Sequence, residues 1–225
     1  MTSQSIAIIP ARGGSKAIPH KNLKQVGGLS LLARTIQACH FSSCISTVYV
    51  STDSHDIAQE ALAFRAHVID RPSHLSTDTS SSESAIHHSL LQIQNSRSLP
   101  SHFLFLQCTS PFTSPTHIDS LYAESISTPA TTAFSATSWH GFLWSPSGDP
   151  INHDPKRPRQ RRQDLPPVLI ETGSAYSIPT DDFLITRSRF STFNQPVPID
   201  FPYIDIDSQH DLDHARFLST LYFDK

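Results

Sequence analysis

A glycine-rich loop near the start of the chain most strongly constrains what this sequence can fold into. The apolar run Ile6–Pro10 leads into Ala11-Arg-Gly-Gly-Ser-Lys16, and Lys21 follows shortly after. Glycine lets a ligand approach the backbone amides closely, and successive amide N–H groups in such a turn form an anion-binding concavity. With Arg12, Lys16 and Lys21 beside it, the loop predicts a polyphosphate site. A tight turn flanked by solvated basic side chains is the alternative.

The loop differs from two common phosphate-binding motifs. It contains neither Gly-x-x-x-x-Gly-Lys-Ser/Thr nor Gly-x-Gly-x-x-Gly, so it is neither a Walker A loop nor a dinucleotide fingerprint. Pro19 lies among the basic residues and is incompatible with a helix interior. We therefore expect the loop to stay extended rather than to enter a helix directly.

The first half of the chain alternates short apolar runs with helical patterns. The predicted strands are Ile6–Pro10, Thr47–Ser51, Ala66–Ile69 and Phe103–Leu106. Such alternation is typical of an α/β, Rossmann-like, doubly wound and mostly parallel sheet with helices on both faces. Ligands of these sheets lie at the carboxyl ends of the strands. The residues at that edge would be the glycine loop, Thr52-Asp53, Arg71-Pro72 and Gln107–Pro111.

The second half contains a segment in which this rhythm breaks. From about Trp139 to Val168 proline, glycine and charge accumulate, which indicates an inserted arm within a single domain spanning residues 1–225. Beyond the arm, strands are predicted at Val168–Ile170, Ala175–Ile178 and Tyr203–Ile206, and a closing amphipathic helix at Ser208–Tyr222.

The last predicted strand carries a pair of carboxylates. Residues two apart in a strand point to the same face, so Asp205 and Asp207 would lie together while Ile204 and Ile206 face the core. Two hard oxygen ligands suit Mg²⁺, which takes a few carboxylates plus phosphate oxygens and water. The alternatives are a solvated acidic face, or Asp207 capping the last helix. The polyphosphate loop favours the metal interpretation, because phosphate completes the magnesium shell.

Composition excludes several other classes of protein. The formal net charge is −3, so no overall field favours nucleic acid, and the basic segment Lys156–Arg162 lacks interleaved aromatic residues for base stacking. The three cysteines form no even framework, which predicts buried reduced thiols. No signal peptide or long apolar run is evident, and we expect a cytoplasmic protein without a membrane partner.

Five ordered segments resemble acylneuraminate cytidylyltransferases, the CMP-sialic acid synthetases. They are Ile9–Lys16 with Ile18–Asn22, Arg71-Pro72 with Leu75–Asp78 and Ser81-Ser82, Leu106–Pro111, Arg162–Pro166 leading to Gly173 and Tyr176, and Ile204–Asp207 with Asp211-Leu212. Kdo cytidylyltransferases, by contrast, open with a differently spaced loop that lacks the Gly-Gly-Ser-Lys run. The resemblance covers nearly the whole chain.

This resemblance implies Mg²⁺-dependent transfer of CMP from CTP to an acidic nine-carbon sugar by a homodimer whose arm, residues 139–168, contacts the second subunit. It implies a triphosphate site at Arg12, Gly13, Gly14, Ser15 and Lys21, and a cytosine and ribose site at Asn22, Arg71 and Ser82. It implies a sugar pocket at Gln107, Arg162, Thr172 and Tyr176, and magnesium ligands at Asp205 and Asp207. Catalytic roles fall to Arg12, Lys21 and Asp207.

The sugar side departs from the family pattern. The usual Asn-Gly-Ala before the tyrosine is Thr172-Gly-Ser174, preceded by Glu171, and an arginine often found two residues before that asparagine is Ile170. The usual proline of Leu-Gln-Pro is Cys108. We therefore expect that the sugar need not be N-acetylneuraminate. Legionaminic, pseudaminic and deaminated acids are alternatives, as are a Kdo-type sugar and a non-catalytic nucleotide-binding role.

Overall fold

The computed structural model describes residues 4–200 and 202–223. The strands are β1 (Ser5–Pro10), β2 (Gln25–Val26), β3 (Leu29–Ser30), β4 (Ile45–Thr52), β5 (His67–Asp70), β6 (His102–Leu106), β7 (Thr131–Trp139), β8 (Val168–Pro179) and β9 (Phe193–Pro198). The α-helices are α1 (Leu31–Phe41), α2 (His55–Ala63), α3 (Ser82–Gln94), α4 (Pro115–Ser127), α5 (Thr180–Thr186) and α6 (Gln209–Tyr222).

Seven strands form the central sheet in the order β5-β4-β1-β6-β8-β7-β9. The first four of these run parallel, β8 is antiparallel to both of its neighbours, and β9 pairs in parallel with β7. The predicted mostly parallel α/β sheet is therefore confirmed, and β8 is its one antiparallel element among the described residues.

The sheet separates two apolar layers because side chains alternate along its inner strands. In β1, Ala7 and Ile9 pack into the layer that contains residues of α1, α2, α4 and α6. Ile6 and Ile8 pack into the opposite layer, which contains residues of α3 and α5. Helices therefore cover both faces, and the doubly wound prediction is confirmed.

Most predicted elements are present. Helices α3 and α4 begin after N-cap serines, Ser81 and Ser114, whose side chains accept hydrogen bonds from the first turn. The predicted strands Val168–Ile170 and Ala175–Ile178 are the two ends of the single strand β8. The three cysteines are buried free thiols, as predicted.

The predicted strand Tyr203–Ile206 is wrong. Ile204 and Ile206 are buried as the alternation requires, but the segment joins no sheet, and one backbone bond from Ile206 N to Thr109 O (2.9 Å) ties it to the loop after β6. A segment can bury alternate side chains without pairing with another strand. The proposed capping of the last helix by Asp207 is also wrong, because Ser208 is the N-cap of α6 and forms a capping box with Asp211.

The segment at residues 140–167 leaves and re-enters the sheet at one place. Trp139 at the end of β7 pairs with Val168 at the start of β8. Between them the chain forms a bridge from Trp144 to Pro150 and a short 3₁₀ helix at Arg162–Asp164. Its rings pack on one another, with His153 4.8 Å from Trp144 and 5.0 Å from Phe142 between ring centroids.

No helix among residues 4–200 and 202–223 is long and apolar enough to cross a membrane.

Candidate active site

The loops that follow β1, β4, β5 and β6 meet at one edge of the sheet because these four strands are parallel. Ala11 N donates to Ser51 O (2.9 Å) and Arg71 N donates to Thr52 O (2.8 Å). Gln107 N donates across to Ser174 O of β8 (3.0 Å). The structure therefore brings the glycine loop, Arg71 and Gln107 to the carboxyl edge, as the sequence predicts.

Position 13 requires glycine because Ser54 packs closely against it, and not because the backbone takes a left-handed conformation. Its N–H donates to Asp53 Oδ1 (2.9 Å), and a Cβ at this position would lie 2.8 Å from Ser54 Cβ. Gly14 has no atom within 4 Å of the corresponding position, so its backbone faces open space. Among the glycines near the start of the chain, the left-handed ones are instead Gly27 and Gly28, which turn the small β2–β3 hairpin.

Substituting Gly13 by alanine is expected to destabilise the protein by about 1–3 kcal/mol, because Ser54 Cβ lies next to backbone and has little room to move. Urea unfolding of the ligand-free protein measures this change. Gly14→Ala is the matched control and should change the free energy of unfolding by no more than about 0.5 kcal/mol. Equal effects of the two substitutions would contradict the assignment of Gly13 as the tightly packed glycine.

Asp78 forms ion pairs with two basic side chains of the loop, Arg12 and Lys16. Arg12 Nη1 donates to Thr77 O (2.8 Å) and to Asp78 Oδ1 (3.0 Å), and Lys16 Nζ lies 2.8 Å from Asp78 Oδ2. The Lys16 ammonium, with Arg12, holds the pKa of the Asp78 carboxyl below its usual range. Exposed pairs of this kind are weak, so a phosphate can replace the carboxylate at little cost.

Three residues predicted at the cytosine and ribose side lie around the same edge. Asn22 Nδ2 donates to Arg12 O (3.2 Å), which ties the end of the loop to its start. Arg71 is buried, its guanidinium binds Ser51 Oγ and Ser51 O, and burial lowers its pKa to about 10. Ser82 is the first residue of α3. Their contacts with a nucleotide stay a prediction.

Lys21 links the loop to the acidic end of the chain. Its Nζ donates to Ile206 O (2.7 Å) and to Asp207 Oδ1 (3.0 Å), and the Lys21 side chain is only 16% exposed whereas that of Asp207 is 76% exposed. Asp205 is half-buried beside them; its carboxylate interacts with the Thr109 hydroxyl, although its buried Oδ1 makes no hydrogen bond of ordinary geometry. Burial raises the pKa of Asp205.

The carboxylates of Asp205 and Asp207, which we call the acidic corner, fit a hard divalent cation. A buried carboxylate oxygen without a hydrogen bond of ordinary geometry and a second, exposed carboxylate are ligands that such an ion accepts when phosphate oxygens supply the rest. No cluster of three or more ligating side chains occurs among the described residues. The corner is therefore incomplete without oxygen atoms from another molecule.

Replacing Asp205 by asparagine is expected to raise the thermal midpoint of the ligand-free protein at neutral pH. The pKa of Asp205 is raised on folding, so its carboxylate costs stability above that pKa, and the cost vanishes once the acid is protonated in both states. The gain should therefore shrink as the pH falls. Asp70→Asn, at the exposed end of β5, is the control. A lower midpoint at neutral pH would contradict this prediction.

The predicted sugar-side residues occupy different environments. Gln107 follows β6, and its Oε1 lies 4.0 Å from the position of a Cβ built on Gly173. The hydroxyl of Tyr176 lies 3.9 Å from that position. Thr172 is buried, and its hydroxyl donates to Ser135. Arg162 lies in the arm, where its Nε donates to His140 O (2.6 Å), and no described contact joins it to Gln107 or Tyr176.

Several polar residues of this region were not among the predicted site residues. They are Asp53, which binds Gly13; Asp78, which binds Arg12 and Lys16; and Glu83 and Arg189, which form a 2.6 Å ion pair. The sequence indicated two of them, because Thr52-Asp53 was predicted to lie at the carboxyl edge and Asp78 lies in one of the five segments that resemble the family. It did not indicate Arg189, since that residue lies between α5 and β9 in a stretch without a motif.

A doubly wound sheet with a glycine loop and two carboxylates at its carboxyl edge defines an α/β protein with an anion-binding edge. A family model described as Cytidylyltransferase matches residues 6–139. The chain belongs to the cytidylyltransferase family.

Curated relatives agree with the resemblance found in the sequence. N-acylneuraminate cytidylyltransferase A of Danio rerio is 32% identical over 228 residues, which cover 97% of this chain and 52% of that protein. Pseudaminic acid cytidylyltransferase of Campylobacter jejuni is 28% identical over 225 residues, which cover 96% of each chain. The chain thus spans about half the length of the Danio rerio relative.

A solved structure shares the fold. CMP:2-keto-3-deoxy-manno-octonic acid synthetase, complexed with CTP, matches with a TM-score of 0.70 at 17% identity, over 97% of this chain and 99% of that one. At this identity the match establishes the common architecture alone.

Proposed function

We propose that this protein transfers CMP from CTP to the anomeric hydroxyl of a nonulosonic acid and releases pyrophosphate. The observation that carries the proposal is the contact of Lys21 with Ile206 and Asp207, which joins the glycine loop to the carboxylate pair. The named activities of the Danio rerio and Campylobacter jejuni relatives support the class of substrate.

Nucleotidyl transfer depends mainly on positioning and on charge stabilisation, and different side chains of the site have these two roles. The amide of Gly14 and the side chain of Ser15 bind the triphosphate, while Gly13, whose N–H donates to Asp53, shapes the turn that presents them. Arg12 and Lys21 stabilise the negative charge that develops on the α-phosphate and on pyrophosphate. When bound by Asp205 and Asp207, Mg²⁺ supplies charge neutralisation at the phosphate oxygens and favours ionisation of the attacking hydroxyl.

On the other side of the site, Asn22, Arg71 and Ser82 orient cytosine and ribose. The sugar pocket is formed by Gln107, Arg162, Thr172 and Tyr176. Among these, Arg162 suits the sugar carboxylate because a guanidinium binds a carboxylate through two parallel hydrogen bonds. Since Thr172 is buried against Ser135, its contribution is to shape the pocket wall rather than to touch the sugar.

The arm at residues 139–168 is proposed as a dimerisation element. It exposes large apolar side chains, with Ile151 63% and Trp144 49% exposed, and Ile170 at the adjoining start of β8 is 41% exposed. Covering such a surface with a second copy of the chain removes apolar area from water. Sedimentation equilibrium tests the proposal, and a monomer at micromolar concentration would overturn it.

A pyrophosphate-release assay tests the proposed activity. The purified protein is given CTP and Mg²⁺ with each of N-acetylneuraminate, its deaminated counterpart, legionaminate, pseudaminate and Kdo. Turnover with one of the nine-carbon acids is expected, together with loss of turnover when EDTA is added or when CTP is replaced by UTP. Turnover with Kdo alone would favour the eight-carbon alternative, and tight CTP binding without turnover would favour a non-catalytic role.

A further inference from the structure

A bulge in β8 brings together two residues that a regular strand would hold apart. Phe134 of β7 pairs with Tyr176 while Ala136 pairs with Glu171, so residues 172–175 lie opposite Ser135 alone. In a regular strand, residues five apart face opposite sides of the sheet at a distance of about 16 Å. Here the Tyr176 hydroxyl donates a hydrogen bond to Glu171 Oε1.

Buried hydroxyl groups stabilise this bulge. Ser135 Oγ lies 2.7 Å from Ser174 Oγ and accepts from Ala175 N (3.1 Å), while Thr172 Oγ1 donates to Ser135 O (3.1 Å). Gly173 takes a φ of +72°, which favours glycine. The hydroxyl groups of Ser135, Thr172 and Ser174 are thus hydrogen-bonded to one another within the sheet.

Tyr176 is fixed by a second set of contacts. Its ring is 1% exposed and stacks on Phe105, with 5.3 Å between centroids. Arg189 Nη1 donates to the Tyr176 oxygen (3.2 Å), and Arg189 Nε donates to Glu83 Oε1 (2.6 Å). Burial raises the pKa of the Tyr176 phenol above its ordinary value, so it remains a hydrogen-bond donor at physiological pH.

Tyr176 and Gln107 meet at the carboxyl edge, where β6 ends beside β8. The Tyr176 hydroxyl and Gln107 Oε1 lie 3.9 Å and 4.0 Å from the same built Cβ position on Gly173. Glu171 is exposed, and its one side-chain hydrogen bond among the described residues uses Oε1, so Oε2 has no such bond within that part of the chain. An oriented carboxylate therefore lies beside Gln107 and Tyr176, two of the residues predicted for the sugar pocket.

We infer that Glu171 determines which sugar the protein accepts, by receiving a hydrogen bond from a hydroxyl or N–H group of the substrate, and that Tyr176 and Arg189 position its carboxylate. This inference rests on the proposed function. A carboxylate accepts hydrogen bonds and repels a second carboxylate, so the sugar must turn its own carboxylate away from Glu171 and present a donor there.

Glu171→Gln tests the inference because it keeps the shape of the side chain and removes its charge. We expect the KM for the preferred nonulosonate to rise about tenfold or more, since hydrogen bonds to charged groups are the stronger ones. The KM for CTP should stay within about twofold. The ratio of kcat/KM between N-acetylneuraminate and its deaminated counterpart should also change. Glu124→Gln, on the exposed face of α4, is the matched control.

Arg189→Lys and Arg189→Met separate positioning from simple structural support. The methionine variant should raise the sugar KM in the same direction as Glu171→Gln while the KM for CTP stays constant, and the lysine variant should recover part of the loss. An unchanged sugar KM and an unchanged sugar preference in a folded Glu171→Gln variant would overturn this inference alone. Absence of turnover by the wild-type protein with every sugar would overturn the proposed function, and this inference with it.

Discussion

Replacing Asp207 by alanine is expected to reduce CTP-dependent pyrophosphate release at least about 100-fold while leaving the fold intact. The Asp207 carboxylate is exposed and its ion pair with Lys21 lies at the surface, so little folding free energy depends on it. Its loss removes the accessible oxygen of the acidic corner and leaves Asp205 as the sole remaining carboxylate of the pair.

The measurement is kcat for pyrophosphate release at saturating Mg²⁺, accompanied by the thermal midpoint. Asp213→Ala is the matched control, because Asp213 lies on the exposed surface of α6 and pairs with Arg216 instead. The control should retain wild-type turnover. Near-normal turnover by the Asp207→Ala protein would exclude this carboxylate as a metal ligand.

Replacing Lys21 by methionine is expected to lower kcat by a factor of about 100 or more. Lys21 is mostly buried, and it is the cation that contacts both Ile206 and Asp207. Without it, charge developing on the phosphates loses a fixed positive group, and Asp205 and Asp207 lose the ammonium that offsets their mutual repulsion.

The control for this variant is Lys24→Met, three residues further along the same segment, whose ammonium makes neither contact of Lys21. Turnover should stay close to that of the wild-type protein. Since methionine retains the apolar stem of Lys21, the Lys21→Met variant should remain folded. Its thermal midpoint should lie below that of Lys24→Met, because Asp205 and Asp207 then lack the ammonium that offsets their repulsion. A loss confined to the KM for the sugar would contradict the assigned role at the phosphates.

The elements of this fold that could be predicted are those whose own residues follow a local sequence pattern. The continuous apolar runs Ile6–Pro10 and Phe103–Leu106 report burial on both faces of the sheet. The N-cap serines of α3 and α4 mark helix starts through their own hydrogen bonds. Because parallel strands end at one edge, the position of the glycine loop beside Asp53 and Arg71 also follows from the sequence.

The unpredicted part depends on long-range contacts. β9 contains Pro196 and Pro198, residues that ordinarily argue against a strand, and its ladder exists only because it lies at the edge of the sheet against β7. The bulge at residues 172–175 splits the pattern of β8 into two apparent strands. The ion pair of Arg189 with Glu83 joins residues 106 positions apart, and no local pattern encodes such a pair.

The position of Asp78 has a consequence for the energetics of ligand capture. Arg12 and Lys16 are long side chains that would otherwise sample many rotamers in water, and Asp78 already draws both toward the glycine loop in the absence of a ligand. Under the proposed function, an incoming triphosphate would exchange one anion for another, and much of the side-chain entropy would already be lost before it arrives. Asp78 in this sense preorganises the binding edge, and the weakness of an exposed pair keeps the exchange readily reversible.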